Sequence, residues 1–248
     1  MPPERTPNLD EFASMYCYPG RSLAIGKDSQ GVSFAAYWLT GRSPQSRSRR
    51  VSVDRDTLEI GDVSAPDQSD PLRHYTAIIR NSEHVIVGNG TQVTDVAAEL
   101  SQGVSAFHAL SRLEYEPDPP IHTPRITAVL SRAGDDFEDV TISGAISDTR
   151  WTTMAQHYMF HILRQEPGQG HAVTTYSGDA ENISTSGKPS QVAIDASWDK
   201  LLDQIWDNLA PSVRVAACVV PLAGDLREGR FAGIHEPVIH AGTGLNTK

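Results

Sequence analysis

Four arginines stand within the ten residues from Gly41 to Arg50, in a chain of 248 residues whose formal net charge is −10. Arg42, Arg47, Arg49 and Arg50 make a local cationic patch on an acidic protein. A guanidinium presents a planar fork of donors that matches phosphate and carboxylate oxygens. Such a run serves as a solvated surface patch, as a nucleic-acid contact or as a site for a small phosphorylated or anionic substrate. Nucleic acid is disfavoured because the whole chain is acidic and no aromatic residue interleaves the cluster. Four further stretches carry groups able to do chemistry: Tyr18-Pro19-Gly20-Arg21, Asp70 to Tyr75, Gly88-Asn89-Gly90-Thr91, and Glu114 to Asp118 running on to His122-Thr123-Pro124-Arg125. The glycines of the third leave backbone amides free to approach a ligand. Each alone reads as structure, Asn89-Gly90 as a turn, Glu116 as a helix-end carboxylate and Arg125 as a surface charge. Together with the arginine loop they form an unusual set.

The elements that must position these groups are mostly strands. Ser22 to Gly26 and Val32 to Thr40 flank the turn-rich Lys27 to Gly31 and read as a β-hairpin, so the arginine loop leaves the end of a rigid strand. Val51 to Ile60 predicts one or two short strands, Asp62 to Pro71 a polar loop, and His74 to Arg80 with His84 to Gly88 a second hairpin. Thr94 is the expected N-cap of a helix over Asp95 to Ser101, and Ser105 of another containing Ala106, Ala109, Leu110 and Leu113. Strands follow at Arg125 to Leu130 and Val140 to Ile146. Trp151 to Arg164 fits both periods and is assigned to strand from about His157. Ala172 to Tyr176 is a strand, Trp198 to Leu209 an amphipathic helix capped by Ser197, and Val213 to Val220 a buried strand. The pattern predicts α+β, with antiparallel sheets covered by helices.

Composition bounds the rest. A hydrophobic content of 39% over 248 residues supports one large domain, here residues 17–225, with a flexible arm over 1–16 and a loose tail over 226–248. Cys17 and Cys218 are the two cysteines, without zinc-type spacing, which points to a reducing compartment and no metal. No signal-like or membrane-length apolar run is evident, so the expectation is a cytoplasmic chain with no membrane or nucleic-acid partner, self-association being left open.

The motifs resemble the archaeal-type IMP cyclohydrolases. The resemblance rests on Tyr18-x-Gly20-Arg21-x-Leu23-Ala24-x-Gly26-Lys27, the strand ending in Tyr37, Arg42-Ser43-x-x-x-Arg47, Asp70-Pro71 to Tyr75, Asn89-Gly90, Tyr115-Glu116-x-Asp118 and Thr123-Pro124-Arg125-Ile126. It continues more weakly through Pro167-Gly168-x-Gly170 and Thr175-Tyr176. It implies a four-layered αββα sandwich of the N-terminal nucleophile hydrolase type, and closure of 5-formamidoimidazole-4-carboxamide ribonucleotide to IMP and water without a cofactor. It further implies Arg47 and Glu116 as the catalytic pair. Arg21, Arg42 and Arg125 are then candidates for the phosphate and Tyr75 and Asn89 for ribose or base, with Gly90 a further substrate-binding candidate. The sequence departs from the family at Pro44-Gln45-Ser46, where Phe-Pro-Asn is usual, at His122, where Asn is usual, and at Thr91-Gln92, in place of Ser-His.

These departures leave room for a relative that closes a similar ring on a modified nucleoside precursor, or for a nucleotide-binding protein without turnover. A third alternative uses Cys17, close to the position of the attacking residue in N-terminal nucleophile hydrolases. Cleavage after Tyr16 would then free its amine for an amidohydrolase reaction.

Overall fold

The computed structural model describes residues 5–64, 70–134, 136–148 and 151–241. The expected hairpin forms as β1 (Arg21–Lys27) and β2 (Ser33–Thr40), followed by a single helical turn α2 (Pro44–Arg47) and then β3 (Arg49–Val53) and β4 (Thr57–Asp62). The second hairpin forms as β5 (Tyr75–Arg80) and β6 (His84–Gly88). Helices α3 (Gln92–Ser101) and α4 (Ala106–Ser111) lead into β7 (Arg125–Ala133), β8 (Asp136–Asp148) and β9 (Trp151–Ile162). Then come β10 (Gln169–Thr174), β11 (Tyr176–Gly178), β12 (Ile183–Thr185), β13 (Ser190–Ala193), α5 (Trp198–Asn208) and β14 (Arg214–Pro221).

The strands build two large sheets. One is six-stranded, in the order β13-β10-β1-β2-β14 and then β15 (Arg230–Gly233); the other is eight-stranded, running β3-β4-β5-β6-β7-β8-β9 with β16 (Val238–Ile239) beside β3. Neighbours are antiparallel except β16 and β3. The class is mixed α+β, mostly strand.

Strand alternation sends each face to a different core. Leu23, Ile25, Tyr37 and Leu39 of the first sheet meet Val51, Leu58, Ile78, Val87 and Ile126 of the second. The opposite face of the six-stranded sheet, with Ala24, Phe34, Ala36 and Trp38, is covered by Leu201, Leu202 and Ile205 of α5. On the outer side of the eight-stranded sheet, Ile86 and Val129 pack under Val93, Val96 and Leu100 of α3 and Leu110 of α4.

Three expectations change. Within the supposed arm lies α1 (Leu9–Ser14), whose Leu9 and Phe12 are buried in the helix-covered core, Phe12 edge-on to Trp38 at 6.3 Å. An apolar Leu-x-x-Phe spacing in so short a helix is a weak signal, and burial against α5 rather than propensity sustains it. The supposed loose tail holds a 3-10 turn at Leu226–Glu228 and the strands β15 and β16, because β14 and β3 each offer an edge for them to pair with. Helix α3 starts earlier than expected, with Thr91 at its N-cap position, since Gln92 and Val93 are themselves buried. Residues 65–69 of the expected loop, residues 1–4 of the arm and residues 242–248 of the tail lie outside the described residues.

Candidate active site

Arg21 opens β1 and is the residue around which the site is arranged. The chain enters it through Gly20 at φ +72°, where a Cβ would meet Thr175 Oγ1 at 2.3 Å and the Tyr176 ring at 2.4 Å, so only glycine fits. The Arg21 amide donates to Thr175 Oγ1 at 3.0 Å, fixing the start of the strand. Its guanidinium then donates to both Glu116 oxygens, at 2.8 and 2.7 Å, and to the Asn89 carbonyl at 2.9 Å. Both partners are nearly sealed from solvent, Arg21 being 7% and Glu116 2% exposed.

Glu116 is held by its own loop. Its amide donates to the Thr123 carbonyl at 2.8 Å, and Asp118 accepts the Thr123 amide at 2.7 Å. The Thr123 hydroxyl is shared between Asp118 and the Tyr176 phenol, and Tyr176 stacks on Tyr18 with ring centres 5.8 Å apart. His122 adopts φ +51° in this loop, a conformation that asparagine tolerates better than most residues. Behind Arg21 the buried Tyr37 and Tyr75 phenols share a 2.8 Å hydrogen bond.

A cleft of about 210 Å³ opens in front of the pair. One wall is Arg21, Glu116, Asp118, Thr123 and Tyr176; the other is Ser43, Gln45, Ser46, Arg49, Leu72 and Arg73. Arg49 reaches it because β3 alternates, burying Arg49, Val51 and Val53 while Arg50 and Ser52 stay half-exposed. The guanidinium of Arg49 donates to the carbonyls of Ser46 (2.8 Å) and Thr40 (2.9 Å) and, among the described residues, has no carboxylate partner. Arg73 is anchored instead by Asp70 at 2.8 Å and Asp62 at 2.9 Å.

Electrostatics separate the two walls. Burial pushes the Glu116 carboxyl above its usual value, an effect that the Arg21 charge opposes without cancelling. Burial lowers the Arg21 guanidinium, but Glu116 together with Tyr75 and Tyr37 outweighs it, and Arg21 stays protonated. Burial and the neighbouring Tyr75 push the Tyr37 phenol well above the usual range. At Asp62 burial also acts upward, but hydrogen bonds from Ser48 and Ser64 and the charge of Arg73 outweigh it and bring the carboxyl down to about 2.

Several residues singled out in the sequence stand elsewhere. Arg47 ends α2 and donates to the Ser212 carbonyl, while its own carbonyl is 3.0 Å from His235 Nε2; it does not line the cleft with Glu116. Arg42 is exposed and donates to the Ala180 carbonyl at 2.9 Å. Arg125 lies on the opposite face of β7 from Ile126 and borders a groove with Glu99, Arg112 and Glu114 beside α3 and α4. The Asn89 side chain is consumed internally, donating to the Pro124 carbonyl and accepting from the Ile126 amide and Gln92 Nε2. Its backbone carbonyl, not its amide group, serves the site. Gly90 lets the loop pass Glu116, a Cβ there falling 3.1 Å from Glu116 Oε1. Tyr75 sits behind Arg21 rather than on the cleft wall.

Sequence reasoning missed the role of Arg73, although the Asp70-x-x-Arg73 spacing is that of a local ion pair. It named Arg49 without a role, where the Arg49-x-Val51-x-Val53 alternation carried the signal. Cys17 is exposed and Cys218 buried, burial pushing the Cys218 thiol up to about 12. No group of three or more His, Cys, Asp or Glu able to hold a metal occurs among the described residues, and no described helix is long and apolar enough to cross a membrane.

An arginine-lined cleft with one buried carboxylate has the chemistry to accept a small anionic molecule. The family described as IMP cyclohydrolase-like protein matches residues 18–225, and the chain belongs to it. Archaeal proteins named IMP cyclohydrolase are similar over shorter stretches. That of Natronomonas pharaonis is 37% identical over 120 residues, covering 46% of this chain and 58% of the relative. That of Methanocaldococcus jannaschii is 32% identical over 116 residues, covering 46% and 56%. One from Methanococcus maripaludis is 28% identical over 183 residues, covering 70% and 84%. For the first two, the chain thus spans little more than half the length of the relative it matches.

Proposed function

We propose that the protein closes the purine ring, converting 5-formamidoimidazole-4-carboxamide ribonucleotide to IMP and water, in purine nucleotide biosynthesis. The reading is supported by family membership and by the relatives' names. The observation that carries it is the buried Arg21–Glu116 pair facing a cleft whose other wall presents Arg49 and Arg73. In this reading residues 17–225 are the catalytic unit. In the same reading, the αββα sandwich of N-terminal nucleophile hydrolases is supported by helices packing on the outer faces of both sheets.

The chemistry accounts for these groups. The carboxamide nitrogen is a poor nucleophile because its lone pair is delocalised into the carbonyl, so a base must take its proton as it attacks the formyl carbon. Glu116 takes that proton and returns it to the alkoxide, giving the carbinolamine; it then takes the proton of the former formamide N–H and delivers it to the hydroxyl, so that water leaves as the ring C=N bond forms. A carboxyl raised by burial suits both steps better than one held low. Arg21, fixed by Glu116 and Asn89, stabilises negative charge on the amide or the developing oxyanion. Because both reacting groups belong to one molecule, the pocket mainly fixes their rotamers and excludes water. Arg49 and Arg73 hold the phosphate, Arg49 foremost, since it brings a buried charge that no carboxylate among the described residues neutralises. Arg47, the catalytic arginine that the family motif suggests, passes its role inward to Arg21.

The amidohydrolase alternative loses ground because α1, upstream of Cys17, is packed into the core and cleavage after Tyr16 would release it. Incubation of the purified protein with the formylated ribonucleotide, following the purine absorbance, tests the proposal. Conversion to IMP is expected. Tight IMP binding without conversion would leave a non-catalytic nucleotide-binding protein.

A further inference from the structure

The eight-stranded sheet ends on β9, and among the described residues no strand lies beyond it. The other edge strands are short, β13 and β15 having 4 residues each and β16 only 2, whereas β9 runs for 12. Long open edges are ordinarily blunted by proline, a bulging glycine or inward charge, because their free amides and carbonyls recruit other strands. Residues 151–163 contain no Pro, Gly, Asp, Glu, Lys or Arg, in a chain where 21% of residues are charged. Of the seven large apolar side chains exposed among the described residues, three fall in this segment: Met154, Tyr158 and Leu163. Gln156, midway between the first two, is exposed as well.

We propose that β9 pairs antiparallel with β9 of a second copy of the chain, about a two-fold axis at Gln156, joining the two eight-stranded sheets into one. A second copy is the occupant that the strand itself favours. An antiparallel edge is its own complement under a two-fold. Two chains of net charge −10 repel over most of their surfaces, so the uncharged strip is where they approach at least cost. This register sets Met154 of each copy opposite Tyr158 of the other. It also sets position 151 of one copy level with position 161 of the other.

Light scattering on the intact chain is expected to give twice its 27.0 kDa mass at micromolar concentration. The double substitution Met154→Lys with Tyr158→Lys changes only exposed positions and is expected to yield the monomer with an unchanged circular dichroism spectrum and melting temperature. Register is read by Gln156→Cys in a Cys17→Ala background, where antiparallel partners lie within disulfide reach and mild oxidation should link the copies. A monomeric wild type overturns the proposal. So does a dimer that survives both lysines and fails to cross-link at residue 156, which would place the interface on another face.

Discussion

Two arginine–carboxylate systems face each other across the cleft, and they behave in opposite ways. Among the described residues, Glu116 accepts from a single residue, Arg21, while Asp62 accepts from the Ser48 hydroxyl, the Ser64 amide and hydroxyl, and Arg73. Both carboxylates are buried, and burial acts upward on both. Depth of burial and hydrogen bonding together decide the outcome: Glu116 lies deep enough that desolvation outweighs its one guanidinium, whereas at the shallower Asp62 four donors bring the carboxyl down to about 2. Asp62 is a fixed anion that anchors Arg73. Glu116 is a group able to change protonation state.

The sharpest way to break this contrast is Glu116→Gln, which keeps an acceptor for Arg21 but cannot take and return a proton. Turnover should fall about 10²- to 10⁴-fold with IMP affinity nearly kept, measured by steady-state kinetics and calorimetry. In the wild type the acid limb of kcat/KM should lie above 4.5, the ordinary glutamate value, because Glu116 must be ionised and its carboxyl is raised in the free protein. A limb at or below that value would contradict the assigned base.

Next in size is the pair Arg49→Ala and Arg47→Ala. Removing a charge-assisted contact of roughly 1.5–3 kcal/mol should weaken IMP binding by about 10- to 100-fold for Arg49, with inosine affinity little changed. Arg47→Ala should stay near wild type in titration calorimetry. The reverse order would return the loop's role to Arg47.

Asp62 is expected to show itself in stability rather than chemistry. Its lowered carboxyl stabilises the fold fully above its unfolded value of 3.8, and this is lost as pH falls towards 2. The difference amounts to about 2 kcal/mol. Urea unfolding of Asp62→Asn should show the wild type's advantage shrinking across that window. Glu116 has the opposite sign, since ionising a raised carboxyl costs stability as pH rises through it. The smallest effect is expected from Cys17→Ala, whose activity should match the wild type, with intact mass showing no cleavage between Tyr16 and Cys17.

The sequence made the strands legible because period-two burial and turn chemistry are local: β1 with β2, and β5 with β6, stand within a residue or two of where the pattern placed them. Arg21 and Glu116 were each recognisable as chemically suggestive. Their pairing was not, since it joins residues 95 apart through sheet topology alone. The arginine loop differs for another reason: the family resemblance pointed to Arg47, whereas the register of β3 turns Arg49 inward. Arg125 was lost in the same way, one residue out of phase with the inward-facing Ile126. The helix α1 and strands β15 and β16 escaped notice because segments of two to six residues owe their order to partners distant in the chain.

The pairing of β16 with β3 has a consequence for how the arginine loop moves. Val238 and Ile239 lie against Ser52 and Val53, the His240 amide donates to the Val53 carbonyl at 2.9 Å, and His235 reaches the Arg47 carbonyl. The segment carrying Arg47 and Arg49 is thus braced from behind by residues nearly two hundred positions later. Hydrogen exchange at the β3 amides therefore reports on this brace as well as on the cleft, and protection there should rise and fall with that of the amides at 238–240.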